Sequence, residues 1–145
     1  MMALNAEAST RHWLPSHVYP SLEVASSRLA FLISCYSAPG HPQRGPYVLA
    51  VDHKDEAKLL GHVGFSPIDN EVEVSYAIAE SFRGRGYGTE ALVRACNWLA
   101  DEFAVPRILA ITESANVISR RLLERASFVL VRVPPATLHE FRISC

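Results

Sequence analysis

The segment Arg83-Gly84-Arg85-Gly86-Tyr87-Gly88 decides the fold, because three of the seven glycines in this 145-residue chain alternate within it. Glycine adopts left-handed backbone dihedrals and lets a ligand approach the main chain closely. Successive N–H groups can then face one concavity, and a helix that begins here adds a partial positive charge. We therefore predict a phosphate or pyrophosphate site, with the side chains of Arg83 and Arg85 at its rim. A tight turn that simply needs glycine is the alternative.

Two common phosphate-binding motifs do not match this segment. A Walker loop ends in Gly-Lys-Ser or Gly-Lys-Thr, whereas no lysine precedes Gly88-Thr89. A dinucleotide fingerprint has the spacing G-x-G-x-x-G after the first strand of a parallel unit. Here the spacing is G-x-G-x-G, and the preceding strands read as an antiparallel meander.

Three short strands are predicted before the glycines. Residues 47–51 and 59–65 are largely apolar, and polar turn residues follow each of them. Residues 71–79 alternate, with Val72, Val74, Tyr76 and Ile78 on one face and Glu71, Glu73, Ser75 and Ala77 on the other. Strands that follow one another with short links indicate an antiparallel meander.

Helices and strands alternate after the glycines. Leu92, Cys96, Leu99 and Phe103 recur at helical spacing, and Pro106 ends that helix. We predict a strand over 107–112, a helix over 116–126, and closing strands over 128–133 and 138–143. This order predicts an α/β (α+β) fold with at least one crossover connection.

The N-terminal third has a different character. Ser21 is a candidate N-cap for a helix over 21–34, with an apolar side formed by Val24, Leu29, Leu32 and Ile33. Residues 35–46 are rich in proline and glycine and are predicted to be a loop. We expect one domain over 1–145, in which 1–46 is a helical and loop segment and 47–145 is the sheet core.

Composition excludes several classes of protein. The chain is 49% hydrophobic with a formal net charge of -1, which is typical of a globular domain and gives no field that would attract nucleic acid. No apolar run approaches the roughly 20 residues that span a bilayer. The three cysteines form no C-x-x-C pair and no metal-ligand spacing is present, so we expect no metal, no membrane association and a cytoplasmic location.

Several segments together resemble the GCN5-related N-acetyltransferase (GNAT) superfamily. Arg83-x-x-Gly86-x-Gly88 is similar to its R/Q-x-x-G-x-G/A pyrophosphate loop, and residues 73–78 (EVSYAI) are similar to the strand before that loop. Asn116-x-x-Ser119, followed by 122–128, looks like the N-x-x-S helix of the branch that acetylates ribosomal-protein N-termini. The segments at 10–14 (TRHWL) and 21–23 (SLE) extend the resemblance over roughly residues 8–143.

The resemblance implies a mixed, mostly antiparallel sheet flanked by helices, and acetyl-coenzyme A as co-substrate. The pyrophosphate would be held by the loop amides and by one hydroxyl residue, that is, by Arg83, Gly84, Arg85, Gly86, Tyr87, Gly88 and Thr89. The strand that ends near Ile78 would splay from its neighbour, and the Ile78 amide would polarise the thioester carbonyl. Asn116 would bond the pantetheine arm or a water.

The resemblance also implies catalytic roles. Glu73 is the candidate base that takes a proton from the amine, with a solvated strand carboxylate as the alternative and Glu71 and Glu113 as weaker rivals. Many superfamily members place a tyrosine acid where this chain has Leu123. We therefore assign the proton donor to Ser119, with a plain helix-surface hydroxyl as the alternative.

Three further residues are given minor roles. His62 is interpreted as a surface histidine rather than a wall of the acceptor cleft. His12 and Trp13 could line the acceptor side, although only the family comparison suggests it.

The resemblance implies an N-acetyltransferase that acts by direct attack on a primary amine, either a protein N-terminus or a small molecule. A non-catalytic acyl-coenzyme A binding module is the alternative, and a homodimer is compatible with either. Two departures stand out: Ser127 replaces the usual glycine before Phe128, and only about nine residues stand where the family has a first strand and helix. Such a shortened start would expose a sheet edge, which another segment or a partner chain would cover.

Overall fold

The computed structural model of the chain describes residues 4, 6–37, 41–132 and 138–144. Its helices are α1 (Ala8–Trp13), α2 (Leu22–Ser37), α3 (Tyr87–Phe103) and α4 (Val117–Arg125), with short 3-10 turns at Pro15–His17 and Glu80–Phe82. Its strands are β1 (Tyr47–Asp52), β2 (Leu59–Ile68), β3 (Glu71–Ile78), β4 (Arg107–Glu113), β5 (Val129–Arg132) and β6 (Leu138–Ser144).

The described strands form one mixed sheet in the order β1-β2-β3-β4-β6-β5. The first three strands are antiparallel neighbours, as the alternating pattern and short links predict. β3 and β4 are parallel because α3 carries the chain back across the sheet. The remaining pairs are antiparallel, so the predicted mixed, mostly antiparallel sheet with flanking helices is confirmed.

β3 and β4 pair over only a short stretch. Val72 pairs with Ile108 and Glu73 pairs with Leu109, and no register partners follow along Val74–Ile78. The two strands therefore separate beyond Glu73 and leave a wedge between them. This is the splay that the sequence comparison implies for the strand ending at Ile78.

The main core lies between the sheet and α3. Leu92, Cys96 and Leu99 on α3 are buried against sheet residues such as Phe65 and Phe141. Burial of an apolar side chain of this size stabilises the fold by about 1.5–3 kcal/mol. The helical spacing in the sequence identifies this face correctly, and Cys96 is a core residue.

The N-terminal third differs from the prediction in several ways. The Ser21 hydroxyl accepts a hydrogen bond from the Val24 amide at 3.2 Å, as an N-cap should. α2, however, continues through 35–37, which were predicted to be loop, because the first residue that opposes helix in that region is Pro39. Of the four apolar residues predicted to form its buried side, only Leu32 is buried.

Two other features concern the N-terminal third and Ser127, which lies two residues before β5. Among the described residues before position 47, all regular structure is helical, and the helix α1 was not predicted. Ser127 has a φ of 66°, which is the left-handed region where glycine is favoured. The left-handed backbone therefore explains why the family has a glycine at this position, and Ser127 adopts the same conformation with some strain.

Candidate active site

A cavity of about 550 Å³, cavity 1, occupies the wedge between β3 and β4. Its walls come from the second half of β3, the glycine segment, β4 and α4. Nearly all predicted site residues line it, namely Glu73, Ile78, Arg83, Gly84, Gly86, Tyr87, Gly88, Thr89, Asn116 and Ser119. The side chain of Arg85 is exposed and does not line it. The fold therefore gathers residues that span 46 positions of sequence at one opening in the sheet.

The glycine segment forms one end of cavity 1. Gly84 and Gly86 have φ values of 75° and 87°, and a Cβ built on either would meet open space. α3 begins directly afterwards, with Gly86 as its N-cap. The Glu90 amide makes the first hydrogen bond back to Gly86, so the three preceding helix amides have no partner within the helix. Backbone donors and the positive end of α3 are thus directed toward the same end of the cavity.

Arg83 lines cavity 1 as predicted, but its side chain also makes contacts that were not predicted. Its Nε donates to the Ile78 carbonyl at 2.6 Å, and its two terminal nitrogens donate to Ser9 and Glu7 at 2.9 and 3.0 Å. The guanidinium therefore ties the N-terminal segment to the end of β3 and is largely occupied. On α4, Arg121 and Arg125 also line cavity 1, and neither was among the predicted site residues.

Gly88 serves packing rather than a special backbone conformation. Its φ is not positive, and a Cβ there would come within 2.8 Å of the Leu122 side chain on α4. The third glycine of the segment therefore lets α3 and α4 approach each other beside the cavity.

Glu73 lies where β3 and β4 separate. Its carboxylate is half-buried, and burial raises its pKa, which favours a group that must accept a proton near neutral pH. No hydrogen bond or ion pair from the described part of the chain occupies it. Its rival Glu71 is bound by Arg142 at 2.8 Å, which lowers the pKa of that carboxyl, and it lines neither cavity. The other rival, Glu113, is exposed at the rim of cavity 1.

Ser119 is held by two neighbours. Its hydroxyl lies 2.8 Å from the Tyr76 hydroxyl, and its amide donates to the Asn116 side-chain oxygen at 3.1 Å. Asn116 is thereby the N-cap of α4, a function that sequence comparison did not assign. Burial raises the pKa of Tyr76 to about 12, so this phenol stays protonated. Sequence reasoning did not assign Tyr76 to the site. The alternating pattern of β3 places it on the buried face, where a phenol needs a hydrogen-bond partner, and this pattern could have identified it.

A second cavity of about 320 Å³, cavity 2, lies on the other side of Glu73. Glu73, Ser75 and Leu14 line both cavities. The floor of cavity 2 consists of small residues on β2 and β3, including Gly64 and Ser66, and its roof comes from the α1–α2 region. Glu73 therefore stands between the two spaces.

His62 is a wall of cavity 2, and its interpretation as a surface histidine is wrong. It is 5% exposed, and its Nε2 lies 3.1 Å from Nδ1 of His17 in a stacked arrangement. Burial, followed by the charge of His17, lowers the pKa of His62 to about 4. Because β2 alternates about its pleat, His62 shares a face with Gly64 and Ser66. Trp13 lines cavity 1, whereas His12 is exposed and lines neither cavity.

Comparison with known proteins agrees with this geometry. A family model described as "Acetyltransferase (GNAT) domain" matches residues 1–129. The chain belongs to the GNAT acetyltransferase family. The predicted family is thus confirmed.

Individual relatives are more distant. An uncharacterized N-acetyltransferase of Bacillus subtilis, YjdG, is 35% identical over 80 residues, which is 53% of this chain and 48% of that protein. The match thus spans about half the length of this curated relative. The ribosomal-protein-S5-alanine acetyltransferase of Vibrio fischeri is 20% identical with a TM-score of 0.78, over 99% of this chain and 84% of that one. The spermidine N-acetyltransferase of Vibrio cholerae in complex with CoA and spermine is 15% identical with a TM-score of 0.79, over 99% of this chain and 86% of that one. At these identities, the two structures share the fold with this chain.

The residues of cavity 1 suit the coenzyme that the family uses. One end of the cavity fits a pyrophosphate, because it has open space over two left-handed glycines, the start of a helix and two arginines on α4. Apolar groups farther along, such as Ala110 and Leu122, fit a pantetheine arm. Within the described residues, no group of three or more metal-binding side chains and no helix able to cross a bilayer is found.

Proposed function

We propose that this GNAT chain transfers an acetyl group from acetyl-coenzyme A to a primary amine, with both substrates bound at once. The observation that carries the proposal is the position of Glu73, which lies between cavity 1 and cavity 2. Among the residues that the structure describes, it is the only acidic one that lines both. A carboxylate at the boundary of a donor space and an acceptor space is where an attacking amine must lose its proton.

Cavity 1 is the proposed coenzyme site, with the same residues that the resemblance names. The amides of residues 83–88 and Thr89 bind the pyrophosphate, and Arg121 and Arg125 add charge. Arg85 contributes at most its amide, since its side chain does not line the cavity. Bound acetyl-coenzyme A supplies the acetyl group as a thioester, and the Ile78 amide polarises its carbonyl.

Cavity 2 is the proposed acceptor site, so that 1–46 forms the acceptor side of a single domain. An ammonium ion cannot attack, and Glu73 takes the proton that makes the amine neutral. The nitrogen then bonds to the acetyl carbon as the carbon–sulfur bond breaks. The nitrogen loses two protons in total and the thiolate gains one, so one proton is released overall.

Ser119 is the proposed donor to the departing thiolate. Its hydroxyl lies 2.8 Å from the Tyr76 hydroxyl, so Tyr76 can stay protonated and donate a hydrogen bond to Ser119 while Ser119 donates to the thiolate. This pair supplies the phenol that the sequence lacks at Leu123, from β3 rather than from α4. Asn116 positions Ser119 by capping α4.

The test is the variant Glu73→Gln, with Glu113→Gln as a matched control that lines cavity 1 alone. We expect Glu73→Gln to lower kcat about a hundredfold or more at saturating acetyl-coenzyme A, because the base is lost. The Kd for acetyl-coenzyme A, measured by calorimetry, should stay unchanged in both variants. Turnover is followed by release of free thiol with a panel of primary amines.

Other results would point elsewhere. Tight binding of acetyl-coenzyme A without turnover of any amine would favour an acyl-coenzyme A binding module. Failure to bind the coenzyme would refute both functions. We also propose a cytoplasmic location, which cell fractionation would test. Membership of the ribosomal-protein branch would be tested with N-terminal peptide substrates, and a homodimer by sedimentation.

A further inference from the structure

Cavity 2 has opposite charges at its two ends. Glu73 lies at the end where β3 and β4 separate. Arg28 of α2 lines the other end, close enough to His17 that its charge helps to lower the pKa of that histidine.

Strand register gives the length of the cavity floor. Ser66 of β2 lies opposite Glu73, and His62, which contacts His17, lies four residues earlier on the same strand. At about 3.3 Å per residue, the two ends are about 13 Å apart along the strand. An extended acceptor can therefore contact both ends, with the side chains of Glu73 and Arg28 reaching inward.

The other described side chains that line cavity 2 carry no formal charge at neutral pH. Burial lowers the pKa of both His17 and His62, so the stacked imidazoles are neutral at neutral pH. The other described lining residues are aliphatic or carry hydroxyls, as Ser16, Ser66 and Ser75 do. Arg28 forms no salt bridge within the described residues, and its guanidinium lies over the Phe31 ring.

We infer that the acceptor is a primary monoamine that carries a carboxylate at its far end, with the amine at Glu73 and the carboxylate at Arg28. The inference rests on the proposed function. An ammonium group is attracted to Glu73, and a carboxylate forms a charge-assisted hydrogen bond with a guanidinium. A polyamine would place a second ammonium group beside Arg28, and the two cations would repel each other.

Three amines of matched chain length test the inference, namely ε-aminocaproate, hexylamine and hexamethylenediamine. We expect kcat/KM for ε-aminocaproate to be about tenfold higher than for hexylamine, which is the factor of one charge-assisted contact. The difference between ε-aminocaproate and hexamethylenediamine should be larger. Calorimetric binding to the protein saturated with coenzyme A should give the same order. The preference should weaken with added salt, because Arg28 is exposed.

Variants at Arg28 assign the effect to that residue. Arg28→Gln should remove the preference and Arg28→Glu should reverse it toward the diamine. Arg11→Gln removes the same charge from α1 without altering either cavity and should change nothing. Circular dichroism and coenzyme affinity would show that each variant is folded.

The outcomes separate this inference from the proposed function. Turnover in which the diamine is preferred, or in which Arg28→Glu leaves the order unchanged, would overturn the inference and leave acetyl transfer intact. Absence of coenzyme binding would overturn the proposed function itself. Peptides with an N-terminal alanine and either an aspartate or a lysine at the third position distinguish a protein terminus from a small molecule as the source of the carboxylate.

Discussion

At the scale of single residues, burial moves the pKa values of Glu73 and His62 in opposite directions. Both groups face cavity 2, and low polarity disfavours the charged form of each. The pKa of the Glu73 carboxyl therefore rises and the pKa of the His62 imidazole falls. The same buried environment thus makes the Glu73 carboxylate a stronger base and keeps the His62 imidazole neutral.

His62 should make the protein sensitive to acid. Burial lowers its pKa from the ordinary 6.5 to about 4 in the folded protein. Between these values the unfolded chain binds more protons, so stability falls as the pH falls. From pH 7 to pH 5 this residue should remove about 2 kcal/mol of unfolding free energy. Urea unfolding of the wild type and of His62→Gln at pH 7 and pH 5 measures the contribution of His62 to this loss.

Gln keeps a donor near His17, so the His62→Gln variant should lose pH dependence more than stability. His12→Gln, an exposed position, serves as the control and should keep the full pH dependence. An unchanged pH dependence in His62→Gln would contradict the assignment.

At the scale of elements, the wedge between β3 and β4 depends on how tightly β3 is held on its other side. β3 pairs with β2 along its whole length, from Glu71 opposite Ile68 to Ile78 opposite Gly61. When β3 leaves β4 beyond Glu73, it therefore keeps the backbone hydrogen bonds on its β2 edge, and the backbone groups on its other edge face the wedge. This pairing keeps the far end of the wedge in place.

Gly61→Ala should disrupt this pairing. A Cβ at Gly61 would lie 2.0 Å from the Ala77 carbonyl oxygen, a backbone atom that can move only if β2 and β3 separate. We expect a loss of about 3 kcal/mol or more in unfolding free energy, measured by urea denaturation. Gly45→Ala is the matched control, since a Cβ there meets nothing within 4 Å. Equal stability of the two variants would show that β2 and β3 are held less tightly than their register implies.

At the scale of the whole molecule, the Arg83 guanidinium joins two distant parts of the chain. It bonds Glu7 and Ser9, and the Glu7 carboxylate also accepts from the Glu80 amide at 3.0 Å. The N-terminal segment is thereby held against the end of β3, beside cavity 1. The side chain of the arginine that begins the glycine segment thus helps to assemble the site.

Arg83→Ala should loosen the N-terminal segment selectively. Hydrogen exchange of the amides in Ala8–Trp13 should accelerate, while that of β4 and β6 should not. Global stability should fall by about 2 kcal/mol, because charge-assisted bonds that are only partly exposed are lost. Arg94→Ala, which breaks an exposed pair with Glu90, should have little effect. Uniform exchange across the molecule would contradict the selective role.

The elements with strong local patterns were predictable from sequence, and those that depend on distant contacts were not. The alternation over 71–79 and the helical spacing after the glycines predict β3 and α3, and the alternating glycines predict the loop between them. α1 has six residues and buries only Thr10, so no periodic pattern marks it. The exposed apolar residues of α2 misled the prediction, because a helix that contacts the sheet along a narrow line buries few of them.

The chain by itself shows the family, the order of its elements, and the residues Glu73, Asn116 and Ser119 as candidates, since these depend on neighbours in sequence and on local backbone preference. Only the tertiary structure brings Tyr76 to Ser119, His17 to His62 and Arg83 to Glu7. These contacts join residues 43 to 76 positions apart, and no local periodicity encodes such distances. The wedge of cavity 1 has the same origin, because the separation of β3 from β4 is a property of the assembled sheet.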